Sequence, residues 1–291
     1  MKTFSKSLLP IALTGMLASC GSAPTTDNNS ELDIRGGTNV SENDLTNVRR
    51  STVALTSAYT GPNGGGDSIL EQGGSFCTGT IIGTRTIVTA AHCLQALEGR
   101  TQKGDLIFPN ASDYLVHFGS KVSADGPYIK AAKVIPHPDW NPGQTLSPVP
   151  LSAPNDIGLV ILSEDIPSDM IITKIADFDI DVDNQPAILA GYGVSRSRNS
   201  NDTGVLRTLT TRYTGESKNI GRVSHGTFLK GICAGDSGGP AYVEVDGELQ
   251  LVGAASTGIE IPLLGCVGAG SNSTDVRFYK DWIEANSELQ F

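Results

Sequence analysis

Short apolar runs broken by turn-forming stretches recur along most of this chain, and long helical periodicities are rare. Residues 52–57 (TVALTS) alternate and predict a half-buried strand. Residues 74–80 and 81–89 predict two strands around a glycine turn, and 114–119 and 129–135 predict two more. Residues 156–162 (DIGLVIL) form a nearly continuous apolar run of strand type. The same kind of pattern returns at 187–192, 206–213, 241–245 and 249–256, the last two joined by the hairpin pair Asp246-Gly247. Stretches 61–67, 98–110 and 136–150 are rich in Gly, Pro or polar residues and read as loops. One helix is predicted, over 275–287, where Val276, Trp282 and Ile283 share a face. Many short strands with one terminal helix make an all-β barrel architecture.

The first nineteen residues fall outside this pattern. Lys2 and Lys6 precede an apolar run over 8–17, too short for a bilayer span in a mature protein, and 17–20 (LASC) ends it in small residues. This is a secretory signal (1–19) that resembles a bacterial lipoprotein signal, with Cys20 as the lipidated mature N-terminus; an ordinary signal cut near Ala18 or Ala23 is the alternative. Gly21 after the cysteine places such a lipoprotein at an outer membrane. Residues 20–33 then act as a polar tether or propeptide. The formal net charge of −10 argues against nucleic-acid binding. Of five cysteines, Cys20 leaves Cys77, Cys93, Cys233 and Cys266, which allow three pairings. Nearest-neighbour pairing joins Cys77 to Cys93 and Cys233 to Cys266. No C-x-x-C or His-rich tract suggests a metal, and no cofactor is expected.

Candidate chemistry changes the picture at three places. Residues 231–240 (GICAGDSGGP) set Ser237 between Asp236 and two glycines, where sharp turns and free backbone N–H groups suit a nucleophile. A Gly-rich surface turn would look the same taken alone. His92, in 89–93 (TAAHC), follows small residues that let its ring stand free at a strand end. Asp156 heads an apolar strand, where a carboxylate can be buried at one end. A buried histidine and a turn-capping aspartate are the plain readings of each; together they make a base, an orienting acid and a nucleophile.

These residues carry a resemblance to the chymotrypsin-like (trypsin-fold) serine endopeptidases. It rests on 34–37 (IRGG), Cys77, 89–93, His137-Pro138, Asp156-Ile157, 233–240, Val252-Gly253, 256–258, Cys266 and 279–283, in the family's order of His, Asp, Ser. The resemblance implies two packed six-stranded antiparallel β-barrels with a C-terminal helix, the first over 34–165 with His92 and Asp156, the second over 166–291 with Ser237. It implies the same two disulfides and an oxyanion hole from the N–H groups of Gly235 and Ser237. Ser256 would bond Asp156 or substrate, and Ser256, Thr257 and Gly258 would pair with substrate as an edge strand. Gly231 would form the base of the specificity pocket and Ile232 its wall, favouring an uncharged apolar or aromatic P1 side chain. Gly270 or Ser271 falls on the opposite wall. The acidic Glu260 lies in a long segment before Cys266.

Activation in this family frees an aliphatic N-terminus that pairs with the aspartate before the nucleophile, here Ile34 with Asp236. Asp33 precedes Ile34, so an activator with trypsin's preference would not cut there. The expected partners are a protein or peptide substrate, an activating protease and a lipid membrane reached through Cys20. The rival reading is a non-catalytic surface binding protein on the same scaffold.

Overall fold

A computed structural model describes residues 34, 36–44, 46–57, 76–95, 110–123, 125–141, 154–195, 202–261 and 265–287. All lie in one compact unit, 31–291. The predicted signal, Cys20 and loop 61–67 lie outside the described residues, as do Asp33, Arg35 and most of loop 98–110.

A two-residue strand, β1 (Thr38–Asn39), and a short helix, α1 (Asn47–Ser51), lead into the first barrel. Its strands are β2 (Thr52–Ser57), β3 (Phe76–Ile81), β4 (Thr86–Thr89), β5 (Tyr114–His117), β6 (Tyr128–Pro136) and β7 (Gly158–Leu162). They close in the order β2-β3-β4-β7-β6-β5, each pair antiparallel. The second barrel uses β8 (Pro186–Gly191), β9 (Arg207–Ser217), β10 (Arg222–His225), β11 (Pro240–Val245), β12 (Glu248–Ile261) and β13 (Gly265–Asp275). It runs β9-β10-β13-β12-β11-β8, and pairing of β8 with β9 closes it. A 3-10 turn, Val276–Tyr279, and helix α2 (Lys280–Asn286) finish the fold.

Strand β7 shows why an apolar run belongs here. Val160 and Leu162 point into the first barrel, packing with Val53, Ile81 and Ile87. Leu159 and Ile161 point the other way, into a seam with Ala190, Tyr192, Tyr242 and Leu251 of the second barrel. Alternate side chains leave opposite faces of a strand, and both faces are buried, so no polar alternation survives. β8 repeats the device, with Ala187 and Leu189 inside the second barrel and Ile188 and Ala190 on the seam.

Several elements depart from the sequence expectation, the short helix α1 among them. β10 and β13 were not anticipated: β13 reads GCVGAGSNSTD, glycine and hydroxyl residues that look like loop. Central position lets it take this composition, because β10 and β12 pair with it on both sides. The leading segment also behaves differently from a first-barrel element, because β1 pairs with β9 and Ile34 packs in the second barrel's core.

Candidate active site

Asp156 is placed by a left-handed turn at Asn155, whose φ is +61°, a conformation asparagine tolerates. The Tyr279 hydroxyl donates to the Asn155 side-chain oxygen at 2.9 Å and holds that turn. The Asp156 carboxylate is buried, so it needs donors in place of water. Oδ1 accepts the backbone N–H of His92 at 2.9 Å. Oδ2 accepts the His92 ring at Nδ1, 2.8 Å away, and the Ser256 hydroxyl at 2.6 Å. The Thr274 hydroxyl donates to the Asp156 carbonyl at 2.8 Å. Burial alone would push this carboxyl up; the His92 charge and the bonds from His92 and Ser256 outweigh it and hold the pKa below the usual value.

His92 sits in a 3-10 turn, Ala91–Leu94, directly after β4. Burial pulls its pKa down, but the Asp156 charge and hydrogen bond outweigh this and raise it. Because the ionised carboxylate only accepts, the neutral ring carries its proton on Nδ1 and presents Nε2 as a base. Ala90 and Ala91 are fully buried, which is why small residues precede the histidine.

Ser237 lies in the turn before β11. The first barrel grips this turn: Thr78 N–H donates to the Ser237 carbonyl at 2.8 Å, and the Thr78 hydroxyl to the Gly235 carbonyl at 2.9 Å. Cys93 Sγ, in the residue after His92, lies 3.5 Å from the Ser237 carbonyl oxygen. Gly238 N–H is bonded to the Ala255 carbonyl at 2.6 Å. Among the described residues, no acceptor is met by the N–H of Gly235 or Ser237. Gly238, with φ +79°, allows no side chain, since a Cβ there would stand 2.0 Å from Thr89 Oγ1.

Asp236 points away from this surface into the second barrel and is buried. Its two oxygens accept Gly193 N–H at 2.9 Å and Cys233 N–H at 2.8 Å. Burial pushes its pKa up to about 7, against these bonds and the Arg207 charge. The sequence reading missed the surroundings that admit this carboxylate. In Gly191-Tyr-Gly193, a Cβ at Gly191 would come 2.2 Å from Asp236 Oδ1, and one at Gly193 would strike the Ala234 carbonyl at 2.6 Å. Ile34 is fully buried in the same apolar cluster as Ile232, with φ +37°.

Gly231 and Ile232 run into the Cys233–Cys266 disulfide, and Cys77–Cys93 braces the His92 turn. The Cys77 and Cys93 sulfurs and a His92 nitrogen lie within 4.8 Å of one another, but sulfurs bonded to each other are not thiolate ligands. Ser256, Thr257 and Gly258 lie in β12, where pairing with β13 slips between Ala255 and Thr257 and again between Thr257 and Ile259. These bulges re-aim the strand beside the turn that holds Ser237. Gly258 faces Ile232, whose carbonyl would lie 3.1 Å from a Cβ at that position. The Ser271 hydroxyl lies 3.4 Å from the Ile232 N–H, from which it accepts. The Glu260 side chain lies outside the described residues.

Comparison with known proteins agrees with this architecture. The trypsin family profile matches residues 61–283. Serine protease 1 of Canis lupus familiaris is 30% identical over 230 residues, covering 74% of this chain and 81% of that protein. Trypsin of Sus scrofa is 28% identical over 229 residues, covering 74% and 87%. CLIP domain-containing serine protease B15 of Anopheles gambiae is 25% identical over 231 residues, and the match spans 60% of its length. With two closed barrels, both cysteine pairs joined and a family match across most of its length, this chain belongs to the trypsin family of serine proteases.

Proposed function

We propose that the chain is an exported serine endopeptidase, with Ser237 as nucleophile, His92 as general base and acid, and Asp156 as the group that orients His92. The observation that carries this reading is the buried Asp156 carboxylate, which accepts His92 Nδ1–H and leaves Nε2 free. Ser237 Oγ attacks the scissile carbonyl carbon while Nε2 takes its proton. The carbonyl oxygen becomes an oxyanion against the N–H groups of Gly235 and Ser237, worth about 3 kcal/mol per donor. The imidazolium, steadied by Asp156, returns its proton to the leaving amine, and the C–N bond breaks to give an acyl-enzyme. Water attacks that ester by the same route and releases Ser237. Ser237→Ala should abolish peptide hydrolysis and labelling by a serine-reactive fluorophosphonate; hydrolysis unchanged in this variant would remove Ser237 from the role.

The first barrel (β2–β7) and the second (β8–β13) would place substrate between them, against the segment Ser256 to Gly258. Gly231 brings no charge to the pocket base and Ile232 brings an apolar wall, which supports an uncharged apolar or aromatic P1 residue. Lys and Arg would leave an unpaired cation there. A proteome-derived peptide library should show few cuts after Lys or Arg.

The chain would be made as a precursor, anchored through a lipid on Cys20 and released when a protease cuts at Asp33–Ile34. Two features support cleavage there. Asp236 is buried without a cationic side chain bonded to it among the described residues, so a new ammonium at Ile34 would neutralise it. The left-handed φ at Ile34 is costly for a β-branched residue, and cutting the bond before it removes that dihedral. N-terminal sequencing of the active form should begin at Ile34; full activity of the uncut lipidated chain would overturn this.

A further inference from the structure

The second barrel presents an apolar turn to solvent where a polar one would serve the fold. Thr227 to Lys230, between β10 and Gly231, make a two-residue turn closed by two backbone bonds. Thr227 N–H donates to the Lys230 carbonyl at 2.8 Å, and Lys230 N–H to the Thr227 carbonyl at 3.1 Å. Gly, Asn, Asp, Ser and Pro suit such tips. Here the tip is Phe228-Leu229, 54% and 59% exposed, the two most exposed large hydrophobic residues among the described ones. Isolated exposed apolar residues are ordinary, but two in succession at the tip of a tied turn make a projecting apolar point. The exposed rings of Phe178 and Phe278 differ. They lie against each other, 6.4 Å between centroids, with the Lys218 and Arg277 cations over Phe178.

The leading segment meets the body at this turn. Gly36 lies against it: a Cβ there would stand 2.9 Å from Lys230 Cγ and 3.3 Å from the Leu229 carbonyl oxygen. Ile34, two residues earlier, is buried in the second barrel. The fourteen residues 20–33 can span at most about 50 Å. A lipid on Cys20 would therefore keep a bilayer within that distance of the turn, and would draw towards it the side of the body that carries Phe228 and Leu229. Lys230, exposed at the end of the turn, adds a cation in a chain of net charge −10. A cation beside an apolar tip complements anionic headgroups.

We propose that the Phe228-Leu229 turn inserts into the headgroup and upper acyl region of the bilayer to which the chain is anchored, and so docks the body on the membrane surface. This rests on the lipid-anchored reading above. The two apolar side chains bury surface at the acyl boundary while the Lys230 ammonium stays with the phosphates. Two side chains hold weakly alone; the tether makes the contact intramolecular and therefore effective. The turn runs straight into Gly231 and Ile232, so docking would hold the proposed pocket at a fixed height over the bilayer. Cleavage at Asp33–Ile34 would remove the tether, and with it the contact.

The test places the chain from Cys20 onward, carrying Ser237→Ala, on vesicles of phosphatidylcholine and phosphatidylglycerol. The Cys20 thiol is coupled to a maleimide lipid, the other four cysteines being paired. Phe228→Trp then reports on the turn. The new tryptophan's emission should shift to the blue, and bromine-labelled acyl chains should quench it more strongly than they quench Trp140 and Trp282 in the parent chain. Adding Leu229→Ser should cut the docked-to-free ratio read from the quenching by about tenfold, the effect of one buried leucine. An unchanged denaturant midpoint reports that the variants are folded. Emission unshifted and unquenched on the coupled chain, or quenching unaffected by Leu229→Ser, would overturn the proposal. So would a blue shift that follows protein density instead of brominated lipid, the mark of a second copy on the turn. The intact mass of the chain as exported tests the anchor separately: Cys20 without lipid would overturn the anchored reading, while the vesicle result still decides whether the turn inserts.

Discussion

His92 and Asp156 stabilise the fold, and would serve the proposed reaction, over different pH windows. The Asp156 carboxyl is held low, so its contribution is present above the ordinary aspartate value and lost as pH falls through the depressed one. The His92 pKa is raised, so its contribution is full below about 6.5 and lost as pH rises through the raised value. Catalysis needs the neutral ring, so kcat/KM should rise with pH through that same raised value, read from a pH–rate profile. Asp156→Asn should cost about 10⁴ in kcat by spoiling the Nδ1 tautomer. Ser256→Ala removes one of three donors to the carboxylate and should cost about tenfold, near the value of one such bond. His92, Asp156 and Ser237 stood out in sequence because each sits in a short, unusual context. Thr78, which holds the Ser237 and Gly235 carbonyls, did not. It is an ordinary strand threonine, and its partners are over 150 positions away.

At the scale of elements, legibility followed burial. β7 was plain in sequence because the first barrel and the seam bury its two faces, so every position is apolar. β13 was hidden because both its faces do polar work: Ser271 and Ser273 on one face and Thr274 on the other are buried as hydroxyls bonded to Ile232, His225 and Asp156. A strand selected for hydrogen bonding to its neighbours loses the alternation by which strands are read. The turn that presents Ser237 depends on Gly238, where a methyl would meet Thr89 Oγ1, the Thr78 carbonyl and the Ala90 nitrogen. Gly238→Ala should lower stability by about 3 kcal/mol, seen as a shift in denaturant midpoint, and remove hydrolysis.

Over the whole molecule, the uncut chain carries a buried carboxylate whose folded pKa, about 7, lies above the unfolded value. Its contribution to stability is full below about pH 4 and is lost as pH rises through 7. The melting temperature of a Ser237→Ala precursor should therefore fall between pH 5 and pH 8. Asp236→Asn should flatten this fall, and so should cleavage that supplies an ammonium at Ile34. Differential scanning calorimetry at several pH values separates the three. The two-barrel plan itself followed from the family resemblance, since the strand pattern fixes the class but not how twelve strands divide. The bonds from Thr78 cross from one barrel to the turn of the other, so the Gly235 and Ser237 carbonyls are anchored to a body that carries neither. In the proposed protease, hydrolysis would thus gauge barrel docking. Under pressure or mild denaturant, turnover should fade while each barrel still keeps its far-ultraviolet dichroism.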